Sequence, residues 1–139
     1  MSIPFHLAFS VKNIGNTKQF YVDILGCTVT KSTEHWLNIN FFGHQLSIHE
    51  TPRMKADKEK ILVEEKEVPL RHFGVILKKK EWEDLAKKLE KGKVKFLIEP
   101  KLKHEKQVCE QAIMFLEDPS GNGIEFKCYT DPKNIFSNC

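Results

Sequence analysis

"FHLAFSVK" at residues 5–12 and "RHFGVILK" at residues 71–78 read as one strand written twice. In both, a histidine stands second, a small residue fourth (Ala8, Gly74) and a lysine last (Lys12, Lys78). A repeat constrains the fold more than any single segment, because each copy should form the same supersecondary unit. Working outward, His6 precedes Gly26 by 20 residues, and His72 precedes Gly92 by 20. The first interval holds a helix capped by Asn13 or Asn16, with Phe20, Tyr21, Ile24 and Leu25 on one face and Gly26 as its stop. In the second, Trp82, Leu85, Ala86 and Leu89 recur at helical spacing before Gly92.

Three strand-like runs follow each helix, at about 27–31, 35–42 and 44–50, and at about 94–99, 111–117 and 123–129. The closing strands also align: "GHQLSIH" (43–49) lies over "GNGIEFK" (121–127), which pairs Leu46 with Ile124 and Ser47 with Glu125. The copies are offset by 66 residues at their starts and 78 at their ends, so the second carries 12 extra residues, assigned to 100–111. The reading is therefore one α+β domain of two βαβββ modules, at about 4–50 and 70–131, with a tail at 132–139. The joint at 51–69 contains five basic and five acidic residues, and reads as a solvated crossover with a short helical turn.

Strand parity separates the faces. Phe5, Leu7, Phe9 and Val11 oppose His6, Ala8 and Ser10, and Phe73, Val75 and Leu77 oppose His72, Gly74 and Ile76. Leu46 and Ile48 oppose Gln45, Ser47 and His49, while Ile124, Phe126 and Cys128 oppose Gly123, Glu125 and Lys127. The faces opposite the greasy ones thus carry His6, His72 and Glu125 beside small residues, as the lining of a cleft would. Two imidazoles and one carboxylate with open positions suit a divalent metal. Ser47 stands where a symmetric fourth ligand would be, and a hydroxyl is a poor ligand, so three protein ligands are expected. His49 shares the inward parity as a candidate proton carrier. Trp36, Asn38, Asn40, Gln45, Ser47 and Lys127 are candidate cavity residues, whereas His44 and His104 read as solvent positions.

Composition excludes several classes. The 139 residues are 40% hydrophobic and 29% charged, and the net charge of +3 comes from lysines interleaved with acids, so nucleic acid is not expected as a partner. No apolar run is long enough to span a bilayer, and the N-terminus lacks the pattern of a secretion signal, so a cytoplasmic location is expected. Cys27, Cys109, Cys128 and Cys139 show no CxxC spacing, and are expected as reduced thiols.

The paired modules, the histidine on each first strand, "RHFGVIL" and above all "DPSGNGIEFK" (118–127) resemble the vicinal oxygen chelate superfamily. That group holds glyoxalase I, fosfomycin- and bleomycin-resistance proteins, methylmalonyl-CoA epimerase and extradiol dioxygenases. The resemblance covers about residues 4–131 and is greatest to small stand-alone members. It implies a cupped eight-strand mixed sheet with helices outside, a metal on His6, His72 and Glu125, and a homodimer. A metal there binds two neighbouring oxygens of a small substrate. Where glyoxalase I carries a ligating glutamate this chain has Ser47, and where extradiol dioxygenases carry a tyrosine it has Phe115; Tyr129 is a weak substitute. The three-ligand count favours an iron-dependent dioxygenase or lyase over glyoxalase I, with zinc, manganese or nickel as alternatives. The rival reading is a non-catalytic protein of the bleomycin-resistance type that sequesters a drug or metabolite.

Overall fold

A computed structural model describes residues 3–139. Strand β1 (His6–Val11) leads into helix α1 (Ile14–Lys18), which continues as a π-helical turn (Gln19–Ile24), and then β2 (Thr28–Ser32), β3 (Trp36–Phe41) and β4 (His44–Glu50). A hairpin of β5 (Lys60–Val63) and β6 (Lys66–Pro69) follows. The second module is β7 (His72–Phe73), helix α2 (Lys79–Lys91), β8 (Ile98–Lys103), β9 (Gln111–Glu117) and β10 (Gly123–Tyr129). The strands form two four-stranded sheets, β1-β4-β3-β2 and β7-β10-β9-β8, plus the hairpin. In both larger sheets the first strand of the module pairs parallel with its last, and the remaining pairs are antiparallel. The βαβββ repeat is thus present in each sheet. No helix among the described residues is long and apolar enough to cross a membrane.

The chain divides into two compact units. One runs to Ala56 and includes Asp118–Gly121; the other comprises Asp57–Glu117 and Asn122–Cys139. In the first unit Asn13 caps α1 by accepting the Asn16 amide, as its side-chain chemistry favours. Phe20, Tyr21 and Leu25 are buried, as are Leu37, Ile39, Phe41, Leu46 and Ile48 of the sheet. Gly26 ends the helical segment at φ 81°, a value glycine adopts without a Cβ clash. The turn of "DPSG" belongs to this unit. Asp118 accepts the Tyr21 hydroxyl (2.9 Å) and the Ser120 amide (2.8 Å), while the Ser120 hydroxyl accepts the Lys12 amide (2.8 Å). Burial first, then the Asp118 charge, hold the Tyr21 phenol well above its ordinary 10.0, so it remains a donor.

In the second unit all four apolar positions read on α2 are buried, and the Trp82 indole donates to the Phe126 carbonyl (3.0 Å). Several details differ from the sequence expectation. The stop at Gly92 has an ordinary negative φ, and Lys93 supplies the left-handed turn at φ 57°. The strand read at 94–99 begins at Ile98 and runs to Lys103, with a register shift between Ile98 and Lys101. Pro100 lies in that shift, where its missing amide costs no ladder bond. The joint is not simply a solvated crossover: β5 and β6 form a hairpin turned by Glu64 and Glu65 at positive φ. Its Val68 is fully buried with Ile98, Ile113 and Phe115. Alternation in "KILV" and "KEVP" was obscured by the surrounding charges. The thiol expectation fails for one pair: Cys109 and Cys139 form a disulfide, Cα atoms 5.8 Å apart, because the fold joins residues 30 apart in sequence. Cys27 and Cys128 are buried thiols.

Candidate metal centre and its substrate face

Backbone register places the candidate residues in rows. In the first sheet His6 lies opposite Gln45, which lies opposite Asn40; Ala8 lies opposite Ser47, opposite Asn38; Ser10 lies opposite His49, opposite Trp36. All six cavity and proton-carrier candidates of this module therefore share one face with His6. In the second sheet His72 lies opposite Gly123, and Glu125 and Lys127 lie opposite Phe115 and Ile113. His6 with Gln45 and His72 with Gly123 are equivalent pairs, as the sequence alignment of the modules required.

Glu125 is only 8% exposed, so it is not a surface acid. Its Oε1 stands 3.6 Å from His72 Nε2 and 3.8 Å from the Lys127 ammonium. His72 Nδ1 lies 2.9 Å from the Pro69 carbonyl, which can only accept, so Nδ1 donates and Nε2 is the nitrogen turned toward Glu125. His6 Nδ1 is 2.8 Å from Gln45 Oε1, and is held in the same tautomer by a side chain instead. Fixing one ring nitrogen so that the other can ligate is what a metal-binding imidazole needs. Two ligand atoms roughly 2.0–2.2 Å from one ion stand about 3.0–3.6 Å apart over common coordination angles. The His72–Glu125 pair meets that spacing, so these two residues fit a divalent metal. Among the described residues no group of three His, Cys, Asp or Glu is gathered closely enough to hold a metal by itself. His6 belongs to the other unit.

The remaining candidates divide by their bonds. The Ser47 hydroxyl donates to Asn38 Oδ1 at 2.6 Å, which occupies both groups with each other. Asn40 accepts the Gly43 amide (2.7 Å) and serves the β3–β4 turn. His49 is exposed, its ring tilted 6.1 Å from Trp36, whose face also lies beneath the Lys31 ammonium. His44, read as a solvent position, is half-buried and accepts the Phe5 amide at 2.8 Å. Its neighbouring glycine turn suggested solvent, but a strand alongside supplied a donor.

Three features of the site carried no sequence signal. The Pro69 carbonyl is a backbone group. The Phe115 ring meets the His72 ring edge-on at 4.8 Å. Gly74 lies so close to β10 that a Cβ there would overlap the Glu125 carbonyl. A cavity of about 400 Å³ in the same unit is lined by Trp82, Leu102, Ala112 and Cys128, on the opposite face of β10 from Glu125.

The family described as the glyoxalase/bleomycin resistance protein/dioxygenase superfamily matches residues 3–126. A glyoxalase/bleomycin resistance protein/dioxygenase from Alicyclobacillus acidocaldarius is 30% identical, with 97% of each chain covered and a TM-score of 0.83. An integron cassette protein from the mobile metagenome of a Halifax Harbour sewage outfall is 23% identical, covering 92% of this chain and 99% of that one, with a TM-score of 0.68. A genomically encoded fosfomycin resistance protein from Listeria monocytogenes shares the fold at 13% identity and a TM-score of 0.66, over 94% of this chain and 95% of that one. Among curated proteins no sequence matches. Repeat, register and family agree: this chain belongs to the glyoxalase/bleomycin resistance protein/dioxygenase superfamily.

Proposed function

We propose that the chain is a metal-dependent enzyme acting on a small molecule with two neighbouring oxygens, a dioxygenase or lyase rather than a conventional glyoxalase I. His6, His72 and Glu125 would hold a divalent ion, iron first among the candidates with zinc, manganese or nickel as alternatives. The observation that carries the reading is His72 Nε2 standing 3.6 Å from a buried carboxylate, with Nδ1 donating to a carbonyl. Bound there, such an ion supplies Lewis acidity to the substrate oxygens.

The chain's own groups do the rest. Gln45 and Pro69 fix the two imidazoles. The Ser47–Asn38 bond keeps Ser47 from serving as a fourth ligand, which leaves positions open for substrate. Phe115, fully buried across from Glu125, excludes water from that side of the carboxylate. His49, exposed beside Trp36, is the side chain proposed to move a proton. The reading includes a cytoplasmic location and a homodimer.

Calorimetric titration with Mn(II), and with Fe(II) without oxygen, tests it. Wild type should take up stoichiometric metal, and His72→Ala and Glu125→Gln should each weaken uptake at least about a hundredfold, since even outer residues of such sites are worth about 10–100-fold. Absence of stoichiometric uptake would overturn the proposal. Binding of small ligands without metal, unchanged in His6→Ala, would favour a sequestering protein.

A further inference from the structure

We infer that Lys127 is an anion-recognising residue, and that the substrate carries a carboxylate or phosphonate beside its two chelating oxygens; this rests on the metal reading above. Lys127 follows Glu125 by two positions on β10, so both side chains leave the same face. Its ammonium lies 3.8 Å from Glu125 Oε1, the oxygen that also faces His72 Nε2. Its cross-strand neighbour is Ile113, fully buried, and Ile76 bridges to it from the other side. The Lys127 side chain keeps 34% of its surface exposed, so an incoming ligand can reach it.

Charge balance then names the ligand class. Without metal, the lysine and the carboxylate compensate each other. With Glu125 engaged by a divalent cation, its charge is spent there, and two positive groups adjoin beside the buried Ile113. Like charges so placed repel, and an anion on Lys127 removes the repulsion. A ligand that offers only a hydroxyl and one carboxylate uses both in chelation. A second acidic group on the same molecule is what Lys127 would bind. The first module has His49 at the repeat-related position, so this fixed cation belongs to the second module alone.

The test uses Mn(II)-loaded protein and three probes measured by calorimetry: lactate, tartronate and 2-hydroxyphosphonoacetate. All three present a hydroxyl beside a carboxylate, and the last two add a second acidic group. Lys127→Met should weaken one or both diacids about tenfold relative to lactate, while Mn(II) uptake is not weakened. A loss confined to one diacid supports the inference and identifies the group as carboxylate or phosphonate. Equal effects on lactate and the diacids, or none on any, overturn it. Absence of Mn(II) uptake in wild type overturns the metal reading itself, which separates the two failures.

Discussion

The two sheets share one hydrogen-bond register but line it with different chemistry. Across the row that follows each histidine, the first sheet reads Ala8, Ser47, Asn38 and the second reads Gly74, Glu125, Phe115. The next row reads His49 and Trp36 in one, and Lys127 and Ile113 in the other. The first face is polar and its hydroxyl and amide satisfy each other. The second is apolar around one acid, with the buried cluster of Val68, Ile98, Ile113 and Phe115 on the sheet and hairpin beside it. The two modules share a framework, and the buried acid Glu125 stands in one of them only. A carboxylate among apolar neighbours is costly unless partnered, and His72, Lys127 and a divalent ion are the partners available.

Gly74 against Ala8 offers the hardest test of that comparison. A methyl group at 74 would stand 1.6 Å from the Glu125 carbonyl oxygen, a backbone atom that cannot rotate away. Gly74→Ala should therefore destabilise by about 3 kcal/mol or more, in the range of severe core and strain mutations. At the equivalent place the first sheet already accommodates a methyl, and Ala8→Gly should cost no more than about 1 kcal/mol, chiefly through chain entropy. Chemical denaturation of both variants decides it. Similar losses at the two positions would mean that the close approach of β7 to β10 is not specific to the second module.

The glycine also marks where the sequence stopped being legible. The repeat, the parity of each face, the buried positions of α2 and the grouping of His6 with Gln45 and Ser47 all followed from spacing, because periodicity is a direct record of which face a side chain leaves. What spacing does not record is distance between segments. Cys109 and Cys139 are far apart in the chain and bonded in the fold. The Pro69 carbonyl orients His72 as a backbone acceptor, which any residue would provide. Val68 was hidden in a charged joint, where the exposed Lys66 and Glu67 directly precede it. The role of Asp118 was concealed for the opposite reason. Its place in a turn motif suggested local geometry alone, while its carboxylate reaches back to Tyr21.

That reach gives the second comparison, between a bond within the first unit and the buried acid Glu125 of the second. Tyr21→Phe removes the hydroxyl that donates to Asp118. The expected loss is about 1–3 kcal/mol, the ordinary worth of a hydrogen bond to a charged group, seen as a lower thermal midpoint. Mn(II) uptake should fall far less than in Glu125→Gln, since neither Tyr21 nor Asp118 is among the proposed ligands. A fall in metal affinity comparable to that of Glu125→Gln would show that the Tyr21–Asp118 bond positions the proposed ligands.

The smallest effect concerns the far end of the first sheet. Glu50 accepts the Ile14 amide at 2.9 Å and stands 2.7 Å from His35 Nδ1, whereas Cys128 occupies the repeat-related position in the second module and is a thiol pushed above its ordinary value by burial. The bond to Glu50, more than any other influence, raises His35 above its ordinary 6.5. The amide of Ile14, then His35, lower Glu50 below its ordinary 4.5. A raised histidine contributes stability fully below 6.5 and loses it as pH climbs through the folded value. A lowered carboxylate contributes above 4.5 and loses it as pH falls through its own folded value. Both contributions coexist from pH 4.5 to 6.5. The thermal midpoint of wild type should therefore exceed that of His35→Gln most within this window, with the difference shrinking toward pH 8. His35 is solvent-exposed, so the difference should also shrink in high salt. A gap between the two proteins that stays constant from pH 4.5 to 8 would place the His35 contribution in packing rather than charge.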